Sequence, residues 1–199
     1  MKKVFLILFI FNQMAFSQNF KPGISIGIVA SQVDGDRLDG YDKPGFKAGI
    51  LVKNQLKSNY SFYLGLDYIQ KGSRKLANPD IPDDRFYILR LNYIEVPFIF
   101  QYTYKSKYIG ELGFVFGYLF KANEDVDGNG FMEPYPPFKS YDIPFRCGLG
   151  YKIGKRISLK LHYSYSILPI RNHPGNQTWY FDRGQYNNYL ILSIFYLYE

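Results

Sequence analysis

Tyr60-Ser61-Phe62-Tyr63-Leu64-Gly65-Leu66-Asp67-Tyr68-Ile69-Gln70-Lys71 decides how the chain is built. Tyr60, Phe62, Leu64, Leu66 and Tyr68 share one parity, while Ser61, Tyr63, Gly65, Asp67, Ile69 and Lys71 share the other. Apolar residues at every second position mark a β-strand, because successive side chains leave opposite faces of it. The pattern returns downstream. Tyr141, Ile143, Phe145, Cys147, Leu149 and Tyr151 alternate with Asp142, Pro144, Arg146, Gly148, Gly150 and Lys152. Ile157, Leu159, Leu161, Tyr163 and Tyr165 alternate with Ser158, Lys160, His162, Ser164 and Ser166.

The direction in which the apolar face points separates two classes. A soluble barrel turns it inward; a membrane barrel turns it to lipid and fills its lumen with polar groups and glycine. Two features favour lipid. Tyrosines bracket the apolar runs as pairs: Tyr60 and Tyr68, Tyr108 and Tyr118, Tyr141 and Tyr151. Eight residues at ~3.3 Å span ~26 Å along a strand, or roughly 20 Å once tilted, near the height of an outer-membrane apolar band. The polar faces also carry Gly65, Gly113, Gly117, Gly148 and Gly150. Glycine weakens a solvated strand but makes room in a crowded lumen, here for neighbours such as Arg146 and Tyr63.

Extending the reading gives eight strands, at 23–32, 45–53, 60–71, 87–103, 108–120, 140–152, 157–168 and 187–198. Their connections alternate long and short, so the long loops gather at one end of an up-and-down meander and both termini at the other. The expected fold is all-β, an eight-stranded antiparallel transmembrane barrel. The fourth strand is irregular, since Arg90 and Asn92 lie on one parity and Glu95 on the other. Either a bulge near Tyr93 reconciles them or 89–92 stands above the membrane.

At the N-terminus, Lys2 and Lys3 precede an apolar run from Val4 to Phe11 and the small-residue site Ala15-Phe16-Ser17. This reads as a secretory signal peptide, 1–17, followed by a single barrel domain, 18–199. Its removal lowers the net charge from +7 to +5 over 182 residues. The one cysteine, Cys147, excludes an internal disulfide framework. No basic helix or aromatic–basic strip points to nucleic acid.

The chain resembles the PorT-like outer-membrane β-barrel family of Bacteroidota. The resemblance lies in the Gly-rich first strand, Ser31-Gln32-Val33-Asp34-Gly35-Asp36, Gly40-Tyr41-Asp42-Lys43-Pro44-Gly45-Phe46, Leu66-Asp67-Tyr68, Leu91-Asn92-Tyr93-Ile94-Glu95-Val96-Pro97 and Gly110-Glu111-Leu112-Gly113. It implies a small outer-membrane barrel with both termini in the periplasm. One branch of the family takes part in type IX secretion and gliding. A terminal aromatic residue is the usual barrel-assembly signal, and here Glu199 follows Tyr198.

The polar faces predict a lumen network of Lys47, Asp67, Lys71, Arg90, Glu95, Glu111, Asp142, Arg146, Lys160 and His162, joined by Lys53. An eight-stranded barrel is just wide enough for side chains, and buried charges there need partners. Glu95 and Glu111 on adjacent strands have the form of an acid/base pair, but their glycine- and arginine-rich faces read as lumen packing. In the third long loop Asp125, Asp127, Asn129 and Glu133 fit positions 1, 3, 5 and 9 counted from Asp125 of a calcium loop, equally a plain solvated turn. The expected position for a bidentate glutamate is Pro136 when the count starts at Asp125. Tyr135 and Phe138, with Trp179, Tyr180 and Phe181, form a candidate contact surface in the long loops. The expected function is non-enzymatic: a monomeric barrel in outer-membrane lipid, acting as scaffold or accessory subunit among envelope or secretion-system proteins. No cofactor is called for beyond the calcium candidate. The rival is a soluble secreted barrel enclosing a small apolar ligand, with Tyr60, Phe62, Leu64 and Leu66 turned inward.

Overall fold

A computed structural model describes residues 20–36, 38, 40–77, 80, 86–172 and 184–198. The expected signal peptide, 1–17, therefore lies outside the described residues. The strands are β1 (Phe20–Asp34), β2 (Lys43–Gln55), β3 (Tyr60–Lys75), β4 (Tyr87–Tyr104), β5 (Tyr108–Val126), β6 (Tyr141–Asp142), β7 (Pro144–Lys152), β8 (Ile157–Ser166) and β9 (Tyr186–Leu197). All pair antiparallel with their neighbours, and the β4–β5 and β1–β9 pairings close the sheet into a ring.

β6 and β7 form one wall. Tyr118 faces Tyr141 and Phe114 faces Phe145, so the register on β5 is unchanged across the break at Ile143. The break falls before Pro144, which has no N–H to give to a ladder. The ring thus has the eight walls expected. β5 runs six residues past the expected end at 120, a difference that matters for the third loop.

Following paired residues once around the ring gives the stagger. From Phe20 the path runs through Asn54, Phe62, Phe100, Leu112, Cys147, Tyr163 and Leu190, and rejoins β1 at Ala30, ten residues further on. With ~3.3 Å rise and ~4.8 Å strand spacing, that stagger tilts the strands by roughly 40°. Membrane barrels have this tilt.

The faces are sorted as lipid requires. Ile24, Ile26 and Ile28 of β1, Leu64 and Leu66 of β3, Phe98 of β4, Phe114 and Phe116 of β5 and Leu161 of β8 all point outward and are exposed. Tyrosines rim this belt. Tyr60 and Tyr102 touch at the short-turn end, with ring centroids 5.0 Å apart, and Tyr118 and Tyr141 at the long-loop end, 5.9 Å apart. Tyr60, Leu64 and Leu66 face outward, which contradicts the soluble rival's arrangement.

The irregularity of the fourth strand lies on its neighbour. Asn92 pairs with Lys121 but Tyr93 pairs with Leu119, leaving Phe120 of β5 as the extra residue. β4 itself keeps strict alternation, with Leu89, Leu91, Tyr93 and Glu95 buried. Arg90 therefore points outward and is exposed, stacked 4.0 Å from the Phe131 ring, and it does not belong to the lumen network. Lower on β4, Pro97 interrupts the ladder to β3 opposite Gly65, where an added Cβ would lie 3.0 Å from the proline ring.

Candidate functional site: the lumen and the loop end

The inward parity of each strand delivers charged groups from opposite walls to the barrel axis. Lys71 of β3 and Glu95 of β4 are both wholly buried, their charged atoms 2.7 Å apart. Lys71 also reaches Asp142 of β6 at 3.0 Å. Arg146 of β7 donates to the second Glu95 oxygen at 2.7 Å and to Ser164 of β8 at 2.9 Å. From β9, Tyr189 donates its hydroxyl hydrogen to Glu95 at 2.9 Å, and Asn187 donates to Asp142 at 2.7 Å. The Lys71 ammonium sits over the rings of Tyr93 and Tyr189, 4.2 and 4.3 Å from their centroids. One network thus ties six of the strand elements together across the lumen.

Two smaller clusters complete it. Lys47 of β2 lies 3.1 Å from Asp67 of β3 and donates to Ser25 of β1 at 2.7 Å. Nearer the short turns, Glu111 of β5 is held by Lys160 and His162 of β8, at 2.5 and 2.6 Å. With the Gln101 amide nitrogen facing Glu111, its oxygen accepts from Lys53 at 2.8 Å. Four carboxylates, Asp67, Glu95, Glu111 and Asp142, thus meet four basic side chains, Lys47, Lys71, Arg146 and Lys160. Pairing of this kind offsets the cost of placing charge in a water-poor interior. Glu95 and Glu111 belong to separate clusters, so they do not form the acid/base pair that their adjacent strands suggest.

Two of the glycines make room for His162 and Lys160. A Cβ on Gly148 would lie 2.4 Å from the His162 ring, and one on Gly150 2.9 Å from the Lys160 stem.

Apolar clusters flank the Lys71–Glu95 network on both sides, the lower one interleaved with the Glu111 cluster. Toward the short turns, Leu51, Tyr63, Ile99, Val115 and Phe195 pack together. A cavity of about 20 Å³ at this end is lined by Lys53, Gln101 and Lys160 as well as Tyr63 and Phe195. Toward the long loops, Val33, Ile69, Leu89, Leu91 and Ile191 pack with Phe138 and Ile170, which fold in from the third and fourth loops. Phe138 is only 9% exposed and lies beneath the Arg171 guanidinium, 4.1 Å away, so it is a plug and not a contact residue. Tyr135 stands free at 90% exposure. Trp179, Tyr180 and Phe181 lie outside the described residues, as does His173.

The calcium candidate is a hairpin tip. Asp127 and Gly128 both have positive φ, 60° and 74°, the geometry of a tight two-residue hairpin turn. Glu124 and Met132 pair across the arms. Asp125 accepts from the Gly130 N–H at 3.2 Å, and Asn129 donates its side-chain nitrogen to the Val126 carbonyl at 3.0 Å. These groups serve the turn itself. Among the described residues no three His, Cys, Asp or Glu side chains converge as metal ligands.

Sequence parity missed Tyr93, Asn187 and Tyr189 in the network. The readable signal was their place at odd positions of β4 and β9, the parity of Glu95 and Ile191.

A closed ring with an apolar outer belt, tyrosine rims and an ion-paired lumen defines a small outer-membrane β-barrel. Residues 15–172 match the family described as Outer membrane protein beta-barrel domain, and the chain belongs to it. Solved structures agree on the fold. Ail of Yersinia pestis, crystallised with the heparin analogue sucrose octasulfate, is 14% identical, with a TM-score of 0.51 over 90% of this chain and 99% of that one. Neisserial surface protein A is 15% identical, with a TM-score of 0.52 over 88% of this chain and 96% of the other. Comparison with curated proteins finds no match.

Proposed function

We propose that this barrel is a non-enzymatic scaffold or accessory subunit of an envelope assembly, of the PorT-like kind that its strand motifs resemble. In this reading residues 1–17 direct export, residues 18–199 form one monomeric barrel in outer-membrane lipid, and both termini lie in the periplasm. The long loops then face the outside, where they meet envelope or secretion-system proteins. The observation that carries it is the use of the interior. The four lumen carboxylates Asp67, Glu95, Glu111 and Asp142 are each ion-paired with basic side chains of other strands, which favours a role played on the surface.

At the long-loop end the third-loop hairpin presents Phe131, Met132 and Tyr135, all exposed. Exposed aromatic and methionine side chains favour protein contacts. A photo-crosslinking residue in place of Tyr135, used in intact cells, should give a discrete adduct with a protein of the envelope. The same probe at Phe138, buried in the plug, should give none. Adducts absent at both positions, or equally strong at both, would count against docking through this hairpin.

A further inference from the structure

Just above the tyrosine rim, at the long-loop end of the wall formed by β2, β3 and β4, the outer surface changes from apolar to basic. Gln70, Gly72 and Arg74 follow Tyr68 on the outward parity of β3, and they pair with Asn92, Arg90 and Ile88 of β4. Beside these residues is a pocket of about 290 Å³ lined by Lys43, Pro44, Gln70, Lys71, Arg74, Ile88, Arg90 and Asn92.

Among the described residues that line this pocket there is no carboxylate. Among the described residues, Lys43, Arg74 and Arg90 form no ion pair. The Lys43 ammonium donates to the Pro44 carbonyl at 2.7 Å and bears the repulsion of Arg90 and Arg74. Arg74 Nε is buried without a hydrogen-bond partner. Like charges held around one pocket are costly, and an unsatisfied buried donor adds to the cost; an anion would relieve both. Below the pocket, Tyr68 donates to Asn92 at 2.9 Å and accepts from Gln70 at 3.0 Å, which fixes the amides at the rim. Below those, Phe46, Leu66 and Ile94 are exposed to lipid. A ligand seated here places an anion among the cations and apolar chains along the belt.

We infer that this pocket binds the phosphate of an outer-leaflet glycolipid, gripping the headgroup between Arg74, Arg90 and Lys43 while the acyl chains lie on the wall of β2, β3 and β4. Guanidinium groups suit a phosphate because their N–H forks match its oxygens. The inference rests on the proposed orientation, in which the long loops face outward.

Native mass spectrometry of the folded barrel in neutral detergent tests it, with three probes: phosphorylated lipid A, the same glycolipid after enzymatic dephosphorylation, and inorganic phosphate. The wild-type chain should retain the phosphorylated glycolipid, and R74Q/R90Q should retain it roughly 10–100-fold less, the loss expected for charge-assisted hydrogen bonds. K105Q/K107Q, with the same charge change at the opposite end, should bind as wild type. Mobility of unboiled against boiled samples shows that each variant is folded. Equal retention of phosphorylated and dephosphorylated glycolipid, or no effect of R74Q/R90Q, would overturn the site. Inorganic phosphate binding as tightly as the glycolipid would overturn the lipid as its source. Binding in micelles does not depend on orientation, which is read separately by labelling Tyr135→Cys on intact cells in a Cys147→Ala background. Binding without labelling would overturn the outer-leaflet assignment, whereas labelling without binding would overturn the site and leave the orientation standing.

Discussion

Replacing Glu95 by Ala should destabilise the folded barrel by about 3–5 kcal/mol, the cost of removing one partner from a buried ion pair. Glu95 is wholly buried and holds Lys71, Arg146 and Tyr189 together. Without it Arg146 loses its ionic partner, while Lys71 keeps Asp142 alone. The measurement is denaturant unfolding of the barrel in lipid vesicles, followed by tryptophan fluorescence or by loss of the fast-migrating band. A comparison separates the pair from its parts. Replacing Asp67 alone strands Lys47, whereas replacing Lys47 and Asp67 together by Met and Leu removes both charges. The double change should cost far less than the single one, because no unpaired charge remains. Equal costs would mean that water reaches these groups.

Leu64→Arg should cost about 2–4 kcal/mol if the outer belt meets lipid, the depth-dependent penalty for a cation on the lipid face near the bilayer midplane. Leu64 lies midway between Tyr60 and Tyr68 and is 49% exposed. In water, a substitution at so exposed a position usually falls within about ±0.5 kcal/mol. The same vesicle unfolding assay distinguishes the two. Arg at position 57, in the short turn, should be close to neutral.

Much of this architecture was legible in strict alternation. The outward set Tyr60, Leu64 and Leu66, and the inward set Asp67 and Lys71, follow from period 2 alone, because a barrel wall has only two faces. The lumen network was legible for the same reason wherever parity held. Arg90 was misplaced because its charge suggested the lumen; β4 keeps strict alternation past Tyr93, the bulge being Phe120 on β5, so Arg90 takes the outward parity opposite to Glu95. The loops were harder. Asp125, Asp127 and Asn129 carry oxygen atoms at calcium-loop spacing, but spacing alone does not show that β5 continues to Val126 and that the Asp127-Gly128 pair turns a tight hairpin. Phe138 reads as an exposed aromatic beside three prolines. Its burial depends on Arg171 and Ile170, more than thirty residues later in the chain, a long-range packing choice that local composition does not encode.

The filled lumen is the centre of this account, and ion conductance of the purified barrel in a planar lipid bilayer tests it most directly. The interlocked Lys71, Glu95, Asp142 and Arg146 side chains, with apolar clusters on both sides, predict a flat baseline from fully folded protein at either polarity. Reproducible single-channel steps that scale with the amount of folded barrel would contradict it, and would mean that water and ions pass where these side chains are placed.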